Sequence, residues 1–186
     1  DAPLQDIARI KQTAGLKTEE TAQVRSIFLG LDIGSAELKY SDVKGKNPFA
    51  DKRVRQAMYQ AIDINAIKAK VMRNFAAPAG LITSPGVHGH TAALDQRLKY
   101  DVAAAKKLMA EAGYPNGRGM PPLKIANLAP FRNEVAYYAD QWKQVLGLQV
   151  LDQALGPVEV PVDADGEELV QAGPRQALGQ VVEVDA

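Results

Sequence analysis

Three aspartates in this chain each stand directly before an amphipathic helical pattern, and this arrangement limits the fold more than any other feature. After Asp51, apolar residues recur at i, i+3, i+4, i+7 and i+8, namely Val54, Ala57, Met58, Ala61 and Ile62. Asp63 and Asp101 precede two further patterns of this kind. An aspartate at such a position can accept hydrogen bonds from the free N–H groups of the first helical turn. We therefore predict three capped helices, besides a shorter one over residues 4–15.

Short alternating patterns separate these helices. Apolar side chains alternate over residues 24–33 and 123–128, and a further short pattern begins at Leu148. Alternation of this kind is typical of half-buried strands. A long helical stripe covers residues 131–146, whereas residues 76–100 are rich in Gly, Pro and Thr and show no periodicity. The succession predicts a mixed α/β (α+β) domain of two layers, with one long irregular connection.

The charges of the chain are unevenly distributed along it. Its 186 residues include 22 basic and 22 acidic side chains, so the formal net charge is zero. Residues 157–186 hold seven acidic residues, one basic residue and no aromatic residue, a net charge of −6, which leaves +6 for residues 1–156. This shift predicts a folded body over residues 1–156 and a separate acidic tail over residues 157–186. The tail contains two weak strand-like runs, at residues 158–162 and 181–184.

The composition excludes several classes of protein. With 46% apolar and 24% charged residues, the chain is typical of globular domains rather than of disordered or collagen-like ones. It has no cysteine, which excludes disulfides, thiol catalysis and cysteine-based zinc sites. No apolar run approaches the ~18 residues of a membrane-spanning helix, and the first residues lack the profile of a signal peptide. These features leave the compartment open, because a leader could have been removed.

No group of residues in the sequence forms a convincing catalytic or cofactor site. His88 and His90 could bind a metal, but no third ligand stands at a suitable spacing. Gly113, Gly117 and Gly119 do not match the spacing of a dinucleotide-binding loop, and they follow a helix rather than a strand. We therefore expect no metal, no cofactor and no enzymatic activity.

Basic residues are densest over two neighbouring helical patterns. They are Lys52, Arg53, Arg55, Lys68, Lys70 and Arg73. A nucleic-acid surface would be expected to interleave exposed aromatic side chains with these charges, and Tyr59 is the single candidate. We therefore interpret the basic residues as a solvated helix face and expect no nucleic-acid partner.

One stretch carries a more specific signal. Residues 47–63 read Asn-Pro-Phe-Ala-Asp-Lys-Arg-Val-Arg-Gln-Ala-Met-Tyr-Gln-Ala-Ile-Asp. This stretch resembles extracellular solute-binding protein family 5, the dipeptide-, oligopeptide- and nickel-binding components of bacterial ABC importers. Further stretches agree in order: Phe-Leu-Gly-Leu-Asp at residues 28–32, Pro-Gly at 85–86, the run from Tyr100 to Gly117, and the end of the helix at Trp142, Leu146 and Gly147. Several ordered motifs make a chance match improbable.

The resemblance covers about residues 4–152 and implies a function. It implies a two-layer lobe of a type II periplasmic-binding-protein-like fold, in a non-enzymatic receptor that is periplasmic or extracellular and membrane-associated through its transporter. The implied partners are a small peptide or similar solute and the permease of an ABC importer. Family members are much longer and close two lobes on the ligand, whereas this chain resembles part of the second lobe. We therefore expect it to bind its solute weakly or not at all by itself.

Three residues are the best candidates to face a solute. Ligands of open α/β folds bind beyond the carboxyl ends of the strands. Asp32 stands at the end of one predicted strand, and Phe131 and Arg132 follow another. Each of the three could equally be an ordinary loop residue. A second hypothesis is an interaction module that docks a permease or other partner through the basic face of Lys52, Arg53 and Arg55.

Overall fold

The computed structural model describes residues 2, 4–21, 23–38, 41–127 and 131–154. The two strand-like runs of the acidic tail and Leu128 lie outside these residues. The chain divides into two compact units, each built from separate stretches of sequence. The first unit comprises residues 1–28 and 63–100, and the second comprises residues 29–62 and those from 101 onward.

The helices and strands follow one another in mixed order. In the described residues the α-helices are α1 (Ile7–Gln12), α2 (Lys52–Gln60), α3 (Ile64–Ala66), α4 (Val102–Glu111) and α5 (Arg132–Leu146), and the strands are β1 (Leu123–Asn127) and β2 (Val150–Ala154). Single 3-10 turns occur at Leu4–Asp6, Pro48–Ala50 and Pro115–Gly117. A π-helical turn, Ile67–Val71, continues α3. Residues 76–100 hold neither helix nor strand, as predicted.

The three predicted aspartate caps are confirmed. The carboxylate of Asp51 accepts a hydrogen bond from the Arg53 N–H at 2.8 Å, and that of Asp101 from the Ala104 N–H at 2.9 Å. Asp63 accepts two such bonds, from Asn65 and Ala66, at 3.1 and 3.0 Å. These bonds satisfy N–H groups that a helix cannot pair by itself, so the starts of α2, α3 and α4 are fixed locally.

The second unit is a helix layer on a parallel sheet. Within the described residues β1 pairs with β2 in parallel, with Leu123 opposite Val150. α5 connects the two strands and packs against both, while α4 packs against α2 and α5. A parallel pair requires such a crossover helix. The mixed α/β prediction is therefore confirmed.

The apolar faces predicted for these helices form the core of the second unit. The fully buried side chains include Val54, Ala57, Met58, Ala105, Met109, Leu146 and Leu148. Trp142, also buried, donates a hydrogen bond from Nε1 to the Met58 carbonyl at 2.8 Å. α5 and α2 are thus joined by a polar bond inside an apolar contact, which satisfies the indole N–H where water cannot reach it.

The predicted strand over residues 24–33 is wrong. No strand is assigned there, although Leu29, Leu31 and Ile33 remain partly buried and the residues between them are exposed. The alternation of side-chain burial therefore persists over residues 29–33 without a backbone ladder, whereas Ile27, on the same predicted face, is 42% exposed. A strand needs a hydrogen-bonded neighbour, and none pairs with this stretch in the described part of the chain.

Two glycines allow a close backbone approach in the second unit. Gly147 ends α5 with φ of 70°, and a Cβ placed on it would lie 2.4 Å from the Asn116 carbonyl oxygen. Gly117 has φ of 74°, and its Cβ would lie 2.5 Å from the Gly147 oxygen. Any side chain at either position would meet backbone, so the end of α5 fits against the 3-10 turn at Pro115–Gly117 because both residues are glycine.

Candidate functional site

Asp32 lies in an exposed turn whose conformation its own carboxylate fixes. Its Oδ1 accepts hydrogen bonds from the backbone N–H groups of Gly34 at 3.2 Å and Ser35 at 3.0 Å. The hydrogen bond from the Ser35 side chain, followed by those two backbone bonds, lowers the pKa of Asp32 below its ordinary value. The carboxylate is therefore ionised near neutral pH and held in one orientation.

Asn47 braces the same turn from the other side. Its Nδ2 donates to the carbonyl oxygens of Asp32 at 2.9 Å and Ser35 at 2.7 Å, and its Oδ1 accepts from the Phe49 N–H at 3.0 Å. One side chain thus links the Asp32 turn to the 3-10 turn that precedes α2. Asn47 stands in the stretch that carries the family resemblance, but its bonds to the Asp32 turn could not be foreseen, because the two are separated by 15 residues.

Phe131 and Arg132 lie at the amino end of α5. Phe131 is the residue before the helix and is partly buried, and Arg132 is its first residue and is exposed. Because β1 and β2 are parallel, their carboxyl ends meet at one edge of the sheet, and β1 leads through three residues outside the described part into Phe131. This is the edge at which α/β folds commonly bind ligands.

The three candidate residues lie on two separate parts of the second unit. Phe131 and Arg132 are neighbours, whereas Asp32 lies on a separate turn of the same unit. In the described residues, no hydrogen bond or ion pair connects Asp32 with either of them. The structure therefore places a carboxylate on one turn, and an aromatic ring and a guanidinium at the start of α5.

Glu134 is a residue that the sequence reasoning missed. It lies in the first turn of α5 and is only 9% exposed, and its Oε2 has no hydrogen-bond partner among the residues that the structure describes. An acidic residue in a first helical turn is favoured by the helix dipole. Burial without a partner opposes that gain, because a carboxylate oxygen removed from water loses its hydrogen bonds. The helical spacing of Glu134, Tyr138 and Trp142 was the available signal that this glutamate faces inward.

The first unit contains an open apolar groove of about 290 Å³. Its lining residues are Val24, Ser26, Phe28, Ile82, Thr83, Ser84 and Val87. The Ser26 hydroxyl donates to the Ile82 carbonyl and lies 3.1 Å from the Ser84 hydroxyl, so the two sides of the groove are held together. Val24 is 72% exposed and Phe28 50% exposed. The lining offers apolar contact and neutral hydroxyls but no charge.

The two histidines differ in their surroundings. His88 is exposed, whereas the Nε2 of His90 lies 3.2 Å from Oδ2 of Asp95. In the described part of the chain, no three His, Cys, Asp or Glu side chains stand together in a way that could hold a metal ion. Among the same residues, no helix combines the length and the apolar character that crossing a membrane requires.

The basic face of α2 is partly engaged within its own unit. Arg53 forms an ion pair with Asp51 at 2.7 Å and donates to the Glu111 carbonyl at 2.8 Å. Arg55 donates to the carbonyls of Phe49 at 2.7 Å and Ala50 at 3.1 Å. Two of the three charges proposed for docking therefore brace the start of α2, which weakens the interaction-module hypothesis.

Known proteins resemble this chain over much of its length. It is 34% identical over 110 residues to the probable deoxycholate-binding periplasmic protein YgiS of Escherichia coli, a match that covers 56% of the chain and 20% of YgiS. A crystal structure of a periplasmic oligopeptide-binding protein from Borrelia burgdorferi, OppAIV, is 27% identical, with a TM-score of 0.55, over 68% of the chain and 23% of OppAIV. DppA of Helicobacter pylori, solved with the peptide STSA, superposes with a TM-score of 0.64 at 18% identity, over 82% of the chain and 27% of DppA, which shows the fold alone.

The family follows from a match to most of the chain. Residues 1–158 match the family model described as bacterial extracellular solute-binding proteins, family 5 Middle. The structural relatives are periplasmic binding proteins of the type II fold, which confirms the fold that the resemblance implied. The matched proteins bind solutes for transport and are not enzymes, so the non-enzymatic interpretation is confirmed. The chain spans about a fifth to a quarter of the length of these relatives. It belongs to the family 5 bacterial extracellular solute-binding proteins.

Proposed function

We propose that this chain is part of the substrate-binding component of an ABC importer and contributes one wall of a cleft for peptides or similar small solutes. The observation that carries this proposal is the family match over residues 1–158. One of the structural relatives supports peptides as the solute class, since it is an oligopeptide-binding protein.

The wall would be formed by Asp32, Phe131 and Arg132. An ionised carboxylate fixed by its own turn suits the ammonium or amide N–H groups of a peptide. A guanidinium suits carboxylate or carbonyl oxygens, and an aromatic ring offers apolar contact for a side chain. All three residues belong to the second unit, and two of them lie at the carboxyl edge of its sheet.

The remaining parts of the proposal concern organisation and location. We assign residues 1–156 to a partial second lobe and residues 157–186 to a separate acidic segment, supported by the charge division and by a family match that ends at residue 158. The complete receptor would be periplasmic or extracellular and would meet the membrane through the importer's permease. A single wall buries less of the solute's surface than a closed cleft does, so the affinity of this chain for a solute would be low.

A titration followed by nuclear magnetic resonance would test the proposed wall. Labelled chain would be titrated with neutral tripeptides, tetrapeptides and glutathione up to about 10 mM. Fast-exchange shifts are expected at Asp32, Phe131 and Arg132. Asp32→Asn keeps an oxygen for the Gly34 and Ser35 N–H groups while removing the charge, and Arg132→Ala removes the guanidinium.

Matched variants separate this effect from a general loss of charge. Asp42→Asn alters an exposed aspartate of the same unit, and Lys143→Ala alters an exposed base at the other end of α5. These two should leave the titration unchanged, whereas Asp32→Asn and Arg132→Ala should weaken it at least threefold, because each removes a charge-assisted bond. Chemical shift changes at other residues would contradict the proposed wall. So would binding that Asp32→Asn and Arg132→Ala leave unchanged.

A further inference from the structure

The irregular connection of the first unit is fastened by a single carboxylate. Oδ1 of Asp95 accepts hydrogen bonds from the backbone N–H groups of Gly80 and of Leu81, the latter at 3.0 Å, while Oδ2 lies 3.2 Å from Nε2 of His90. We call these four residues the Asp95 clasp. The clasp joins three places in the chain that are separated by up to 15 residues.

The backbone around the clasp is closely packed. A Cβ on Gly80 would lie 2.8 Å from the backbone of Gln96, so the two chain segments approach as only glycine allows. Arg97 adds a bond to the Ala79 carbonyl beside it. The segments at 79–81 and 95–97 are therefore held side by side, and the chain between them forms a closed loop.

This loop carries one side of the apolar groove. Ile82, Thr83, Ser84 and Val87 line the groove and lie between the two fastened segments. Anything that loosens the clasp therefore frees the groove's rim.

The two histidines of the loop differ in exposure and in contacts, and only His90 belongs to the Asp95 clasp. The side chain of His90 is 15% exposed and that of Asp95 20% exposed, whereas His88 is exposed and lies outside the clasp. Asp95 is the charged group that contacts the His90 ring, at 3.2 Å, and Arg97 donates a hydrogen bond to the Ala79 carbonyl. Histidine is the side chain whose charge ordinarily changes between about pH 5 and pH 8.

We propose that His90 makes the Asp95 clasp responsive to pH, so that mild acid tightens residues 79–97 and the groove rim they carry. Neutral His90 can give Asp95 an ordinary hydrogen bond through Nε2–H. Protonated His90 gives it a charge-assisted bond, which is roughly twice as strong. The stronger bond at Oδ2 holds the Asp95 carboxylate more firmly in place, where its Oδ1 accepts the Gly80 and Leu81 N–H groups.

The carboxylate keeps its charge over the range in which a histidine titrates. The Gly80 N–H, then His90, then the Leu81 N–H hold the pKa of Asp95 below its ordinary value. The clasp is therefore expected to be tightest in mild acid and to fail in strong acid, when Asp95 itself is protonated and can no longer accept these bonds as an anion.

Hydrogen exchange of two backbone amides reports the clasp directly. The Gly80 and Leu81 N–H groups are the donors to Asp95, so their protection should rise about three- to fivefold from about pH 7.5 to about pH 5.5, after correction for intrinsic exchange. The Leu123 N–H, bonded to the Gln149 carbonyl in the second unit, serves as an internal reference that should not follow this change.

Three variants identify the group responsible. His90→Gln keeps a donor near the position of Nε2 but cannot titrate, so the protection of both amides should become independent of pH. His88→Gln, its matched control, should retain the full change. Asp95→Asn keeps an oxygen for the Gly80 and Leu81 N–H groups but removes the charge, so it should lower their protection and abolish its pH dependence. A pH dependence that survives in His90→Gln, or that disappears in His88→Gln, would overturn the proposal. If Asp95→Asn does not fold, the two histidine variants decide the question alone.

Discussion

At the scale of single residues, polar groups decide how well this core is built. The Trp142 indole is buried in the apolar core, and its N–H nevertheless donates a hydrogen bond to the Met58 carbonyl. Glu134, two turns earlier on the same face of α5, places a carboxylate oxygen where no described residue donates to it. Burial of Trp142 therefore stabilises the fold, whereas burial of the Glu134 Oε2 costs free energy, because a buried polar atom is stable only with a hydrogen-bond partner.

Replacing Trp142 with Phe should destabilise the chain by about 1–3 kcal/mol. The substitution leaves the Met58 carbonyl without its donor and removes part of the buried ring. Urea unfolding followed by circular dichroism measures the change. Tyr137→Phe, on the partly buried side of the same helix, is the matched control and should cost less than about 1 kcal/mol. Equal costs for the two variants would show that the indole bond contributes nothing.

Replacing Glu134 with Met should stabilise the chain by about 1 kcal/mol, since a buried carboxylate whose Oε2 has no partner among the described residues is exchanged for an apolar side chain of similar size. The loss of a favourable interaction with the helix dipole offsets part of the gain. Glu111→Met, at an exposed position, should change stability by less than about 0.5 kcal/mol. A destabilised Glu134→Met variant would indicate that the carboxylate has a partner.

Residue roles were predictable from the sequence where they depend on near neighbours. The caps at Asp51, Asp63 and Asp101 bond to N–H groups two or three residues away, so the helical pattern beside each was enough to predict them. The bonds of Asn47 to the Asp32 turn and the burial of Glu134 depend on tertiary contacts. Local patterns contain no information about such contacts.

At the scale of helices and strands, the contrast between local and tertiary contacts explains why α2, α4 and α5 were predicted correctly and the strand over residues 24–33 was not. A helix pairs its backbone within itself, so its sequence pattern suffices to predict it. A strand pairs with a neighbour that the pattern does not specify. β1 and β2 pair with each other, whereas residues 24–33 form no ladder and keep an alternating burial only over residues 29–33. The π-helical turn at Ile67–Val71 likewise had no signal in the spacing of apolar residues.

Two glycines that follow helices should respond differently to the same substitution. Gly147 and Gly113 both have positive φ, of 70° and 89°, but a Cβ meets the Asn116 backbone at Gly147 and open space at Gly113. Gly113→Ala should cost about 1 kcal/mol from backbone strain, and Gly147→Ala at least about twice as much, because the clash adds to the strain. Denaturant unfolding measures both. Equal costs would mean that the close approach at Gly147 relaxes freely.

The ion pair of Asp51 with Arg53 at the start of α2 should stabilise the protein at neutral pH but not in acid. The Arg53 side chain is the main cause that lowers the pKa of Asp51. A carboxyl group whose pKa is lowered by folding stabilises the protein above its ordinary pKa of 3.8, and this contribution fades as the pH falls through the folded value. Asp51→Asn should therefore cost up to about 1 kcal/mol at neutral pH and progressively less as the pH falls below 3.8.

A second variant isolates the ion pair from the helix cap. Arg53→Gln removes the same interaction from the other side, and the double variant should cost less than the sum of the two single ones, as shown by unfolding measured for all four proteins. A cost of Asp51→Asn that is unchanged near pH 3 would assign its effect to the cap alone.

At the scale of the whole molecule, two units are built from stretches that alternate along the chain. Residues 29–62 separate the two parts of the first unit, and residues 63–100 separate those of the second. Local periodicity cannot reveal such a division, because it depends on which distant stretches pack together. The resemblance to a family came instead from ordered motifs, and the match over residues 1–158 confirms it.

The chain is much shorter than its relatives, and the proposal therefore predicts a low affinity for peptides. It spans 23% of the Borrelia burgdorferi oligopeptide-binding protein and 20% of YgiS. A cleft that surrounds a solute removes most of its surface from water, and a single wall cannot. Affinity for the same peptide should therefore differ greatly between this chain and a complete family member.

Calorimetric titration of one set of oligopeptides into this chain and into the full-length Borrelia burgdorferi protein tests this most directly. The chain is expected to bind at least about 100-fold more weakly than the full-length protein, with a dissociation constant in the millimolar range or above. Binding within about tenfold of the full-length protein would contradict the account, because it would show that this chain alone contains a complete peptide site.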